Sequence, residues 1–116
     1  MTDSLSDDID VFESGYEYLL AYAAQGRDSD GGGPTEIRTT LSGMHKAASN
    51  IAAALEKNKD EFAWVVAEDT AKANAAISLV LKRDTISSEM VDNLNASIHV
   101  RALLTDLFLV SEAMSR

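Results

Sequence analysis

The chain has 116 residues, 46% of them apolar, and a formal net charge of −9. That length and composition fit one folded domain with its own core and exclude a disordered chain. With no Cys, disulfide frameworks, thiolate metal sites and Cys nucleophiles are excluded. The acidity also excludes the basic footprint of a nucleic-acid binder and attraction to an anionic membrane.

Helix one is expected over residues 5–25, capped by Ser4 or Ser6. Ile9, Phe12, Tyr16, Leu19 and Ala23 recur at helical spacing and form its apolar face. Residues 1–30 hold eight acids against Arg27 alone. This acidic start is the opposite of the basic, then apolar, start of a signal peptide. Asp3, Asp7, Asp10 and Glu17 follow one face, and Tyr18 and Tyr22 stand four residues apart. Rigid amphipathic tyrosines suit interfaces, so Tyr18, Tyr22, Asp10 and Glu17 are expected to contact a partner protein. Residues 26–34 (GRDSDGGGP) read as a flexible linker within the single domain 1–116. They leave helix one free to pack in its own bundle or onto a neighbour. Three consecutive glycines also occur in phosphate-binding loops, but here no Lys-Ser/Thr follows and no strand precedes.

Helix two starts near Thr35. Its stripe Ile37, Leu41, Met44, Ala48, Ile51, Leu55 alternates spacings of four and three, the rhythm of a helix packed lengthwise on another. Asn58 is its expected stop. Helix three begins at Asp60 and Glu61, with Phe62, Val66, Ala73, Ile77 and Val80 on one face and Trp64, Ala67, Ala71 and Ala75 on a second. Helix four is expected to run unbroken from Thr85 or Ser87 to about Ser115, with Val91, Leu94 and Ile98 as its first stripe and a broader apolar face beyond Ala102.

Acids at the proposed starts (Asp7, Asp8, Glu36, Asp60, Glu61, Glu89) and bases at the ends (Arg27, Lys57, Lys59, Lys82, Arg83, Arg116) complement the helix dipoles. No segment alternates as a strand does. The expected fold is therefore all-α: an antiparallel four-helix bundle. Short connections make neighbouring helices antiparallel. The broad face of helix four predicts a homodimer through Leu103, Leu107, Val110 and Met114. No apolar run reaches the roughly 20 residues of a membrane span, so a soluble, cytoplasmic protein is expected.

Few residues point to chemistry. His45 on a helix of a small bundle resembles histidine phosphotransfer domains, although Ala48 and Ser49 stand where those domains usually carry Lys and Gly. Arg38, seven residues before His45, gives a spacing similar to that of helical HEPN ribonucleases, with Thr39 after the Arg. Neither His45 nor His99 has a Glu three residues before it or an acid or second His four residues away. No metal site or cofactor is expected. Asp69 and Arg101 are candidates to pair across helices three and four, since a buried charge needs a partner.

With no matched nucleophile and base, metal set or phosphate cradle, the leading expectation is a small acidic, non-enzymatic interaction protein. It would be an adaptor, assembly factor, chaperone or regulatory subunit that binds another protein. One alternative is a signalling or catalytic bundle using His45. A second is an inhibitor that mimics nucleic acid through the acids of helix one.

Overall fold

The computed structural model describes residues 3–114. Ser115 and Arg116, where helix four was expected to end, and the side chain of Asp3 lie outside the described residues. The chain is all-helical there: α1 (Asp3–Ala23), α2 (Glu36–Lys57), α3 (Ala63–Leu81), α4 (Ser88–Ala96) and α5 (His99–Met114). α1 packs on α2, α2 on α3 and α3 on α5, while α4 packs on α1. The expected stripe of α2 is the centre of the core, with Ile37, Leu41, Met44, Ala48, Ile51 and Leu55 all buried.

The helix ends follow from local chemistry. Ser4 and Ser6 lie inside α1 rather than capping it. Thr35 precedes α2 in an extended conformation, but its side chain does not cap the helix. Its hydroxyl donates instead to Asp30 at 2.7 Å. α2 stops at Asn58 because Lys59 is left-handed (φ 55°), which lets Lys59 N–H reach Glu56 O and Asp60 N–H reach Leu55 O. That pattern satisfies two carbonyls of the last turn. Asp60 then accepts from Phe62 N–H, and α3 begins three residues later than the acids suggest. Ser87, one of the two expected starts, caps α4, accepting from Met90 N–H at 3.0 Å.

The expected helix four is two helices. Ser97 folds its hydroxyl back onto Leu94 O at 2.7 Å, and Ile98 takes the left-handed conformation (φ 65°), a strain of roughly 1–2 kcal/mol for a residue with a Cβ. The apolar pattern explains the break. At 100° per residue, an unbroken helix would place Val91 and Leu94 about half a turn away from Val100, Leu103, Leu104 and Leu107. All six are buried, and the break at Ile98 is what lets both sets face inward. Ile98 itself, expected on the first stripe, is 60% exposed.

The glycine linker is likewise not free. Asp30, with a side chain only 2% exposed, accepts from Gly32 N–H, the Thr35 hydroxyl and Ile86 N–H. Arg38 of α2 lies 3.3 Å from the same carboxylate and donates to the carbonyls of Leu81 and Arg83. Burial works against this charge, but the three hydrogen bonds and Arg38 outweigh it and hold the carboxyl at about 2. One carboxylate thus ties the linker, α2 and the α3–α4 turn together. A second set of bonds joins the end of α1 to α4: Tyr22 hydroxyl to Ile86 O at 2.6 Å, Ser88 hydroxyl to Tyr22 O, Arg27 N–H to Ser88 Oγ, and Ser88 N–H to Arg27 O.

Candidate interaction groove

α1 and α2 approach closely where Gly15 meets Met44. A Cβ built on Gly15 would fall 2.4 Å from Met44 Cγ. Beside this contact lies an open groove of about 460 Å³ between the two helices, with Gly15 and Gly43 in its floor. Val11 supplies its apolar wall, and Ser14, Tyr18, Thr39 and Thr40 supply hydroxyls. Asp10 and Glu36 are its charged lining residues; among the described residues no Lys, Arg or His lines it. Burial, then the neighbouring Glu36 carboxylate, raises the Tyr18 hydroxyl above its ordinary value.

Sequence reasoning placed four residues on a partner surface, and the structure separates them. Asp10 and Tyr18 line the groove. Glu17 is exposed on α1 but is not among the lining residues. Tyr22 is 1% exposed. Its ring lies 6.1 Å from that of Tyr18, Arg27 stacks over it at 5.4 Å, and its hydroxyl is spent on Ile86 O. It is an anchor of the fold rather than a contact surface. The periodicity of α1 put Tyr22 beside Tyr18; nothing in it could foretell the carbonyl from a residue 64 positions away. The glycines and threonines that shape the groove went unread, because such residues carry no signal until two helices cross.

The proposed dimer residues are also redistributed. Leu103, Leu107 and Val110 are buried within the single chain and Met114 is half-buried. The exposed large apolar residues in and just before α5 are Ile98, Phe108 and Leu109, and those of α3 are Trp64 and Leu79.

Arg38 and His45 are engaged by different partners. Arg38 is committed to Asp30 and to the end of α3. His45 is half-buried, and its hydrogen bonds run through its backbone oxygen, which accepts from Ser49 and Asn74. His99 is exposed at the start of α5. Among the described residues no group of three His, Asp or Glu side chains could hold a metal ion, and no helix is long and apolar enough to cross a membrane. Arg101 is exposed and does not pair with Asp69, which instead meets Asp106 of α5. Comparison with protein-family models, curated proteins and solved structures gives no match.

Proposed function

We propose that this protein is a small, acidic, non-enzymatic interaction module whose α1–α2 groove receives a basic segment of a partner protein. The observation that carries the reading is the groove's lining: acids and hydroxyls around an apolar wall, without a cation among them. Lys or Arg side chains of the partner would meet Asp10 and Glu36, its apolar side chains would cover Val11, and Tyr18 would contribute both ring and hydroxyl. The concentration of negative charge in the first thirty residues would speed encounter with such a segment.

A photo-crosslinking residue placed at Val11 tests this. It should capture a protein through a Lys/Arg-rich stretch, and Asp10→Lys with Glu36→Lys should weaken that complex by at least about tenfold, or 1.4 kcal/mol. Capture that survives the double charge reversal unchanged overturns the reading.

Exposed apolar residues on α5 and α3 support a homodimer as a second reading. Leu79, Ile98, Phe108 and Leu109 are 67%, 60%, 45% and 57% exposed, and large open apolar area marks association sites. Sedimentation equilibrium should show a dimer that Ile98→Glu with Leu109→Glu converts to a folded monomer. Leu107→Glu, at a buried position, should unfold the chain instead. A wild-type monomer at all concentrations reached refutes the dimer.

A further inference from the structure

α3 and α5 run antiparallel. Phe62 at the start of α3 shares a cleft with Leu109, Val110 and Met114 near the end of α5, and one helical stretch along, Asp69 meets Asp106. Two carboxyls from neighbouring helices thus face each other in the middle of the seam. Oδ2 of Asp106 is buried, and no N–H or O–H of the protein reaches it.

The surroundings offer no compensating cation. Arg101 lies on the same shallow groove of α5 as Thr105 and Asp106, but it is exposed and forms no ion pair among the described residues. Lys72, one turn beyond Asp69, is exposed and unpaired in the same way. α1 and α4, the other helices packed on α5, present no charged group that acts on Asp106 among the described residues. Two ionised carboxylates held together in this setting repel, whereas one proton between them makes a hydrogen bond. α5 also enters the seam through the strained, left-handed Ile98, the kind of residue at which a helix can pivot.

We propose that Asp69 and Asp106 form a proton-operated latch, which holds α5 on α3 while the two carboxyls share one proton and loosens that seam when the proton is released to solvent. Burial first, then the hydrogen bond to Asp69 and its charge, push Asp106 up to about 7, so the latch works near neutral pH. The raised value fixes the sign. The stabilisation is fully present below the ordinary carboxylate value of 3.8 and is lost as pH rises through about 7. The latch is independent of the α1–α2 groove.

The test is carried out on the full-length chain between about pH 5 and about pH 9, with carbon-13 NMR of the two Asp carboxyls beside hydrogen exchange of the α5 amides, corrected for intrinsic rates. One carboxyl should titrate near neutrality. As pH rises toward that value, opening of α5 should increase by up to about tenfold per pH unit and then level off above it, while the α2 amides show no such rise. Asp106→Asn and Asp69→Asn are near-isosteric, and each leaves an amide donor for the remaining carboxylate; both should abolish the rise. Ordinary values for both carboxyls overturn the proposal. So does neutral titration without opening of α5, or a rise that persists in both variants.

Discussion

Replacing Asp30 by Ala should lower stability to denaturant by about 3 kcal/mol, and Tm by about 10 °C. The effect is large for a loop residue because one side chain serves three donors and a cation. Ile86 N–H is buried and would lose its acceptor. Gly32 N–H and the Thr35 hydroxyl would lose theirs, and the Arg38 guanidinium would face the α3 carbonyls without a counter-charge. Asp30→Asn keeps the shape and one acceptor oxygen, so its cost should be about half. The pH dependence runs opposite to that of the Asp69–Asp106 pair. Since Asp30 is lowered from 3.8 to about 2, its contribution is present above the ordinary carboxylate value and is lost as pH falls through about 2. The Ala variant should therefore lose stability less steeply in acid than the wild type. A change below about 1 kcal/mol would mean that water replaces the carboxylate at little cost.

Gly15→Val should destabilise by about 3 kcal/mol through overpacking, despite the gain in helix propensity of roughly 0.5 kcal/mol. The new Cβ would stand 2.4 Å from Met44 Cγ and 2.6 Å from Met44 Sδ, and Met44 is wholly buried, so the helices must separate or Met44 must leave its place. Met44→Ala alone should cost about 3 kcal/mol for the cavity it leaves. Together the two changes should cost less than their sum by about 2 kcal/mol, because the valine side chain introduced on α1 then fills the space that Met44 vacates. Chemical denaturation of all four proteins closes the cycle. Additive costs would show that the two residues do not share one volume.

Much of the helical reading rests on periodicity, and most of that holds. The stripe on α2, the face of α1 and the face of α3 through Val66, Ala73, Ile77 and Val80 are legible because a helix returns every three to four residues to the same side. By contrast, Trp64, Ala67, Ala71 and Ala75, read as a second face of α3, are all exposed. The break at Ile98 went against the expectation of one unbroken helix, although the spacing carries a trace of it. The half-turn offset between Val91/Leu94 and Val100/Leu103/Leu107 is written in their spacing, but four apolar residues between 107 and 110 masked it by making nearly every face of the helix look buried.

The groove was half legible. Asp10 and Tyr18 announced themselves by charge and aromatic character. Glu36, Thr39, Thr40 and the two glycines did not, because their part depends on where α2 lies against α1.

The sequence by itself determined the helical class, the acidic character and most of the core, since these depend on composition and on contacts a few residues apart. The tertiary structure alone decided that Asp30 binds Ile86 and Arg38, that Tyr22 is spent inside the fold, and that Asp69 faces Asp106 rather than Arg101. Each of these is a polar group whose partner lies on another element. Hydrogen bonds and charges act over a few ångströms of space, and no local pattern in the chain encodes which distant atoms the packing of helices will bring that close.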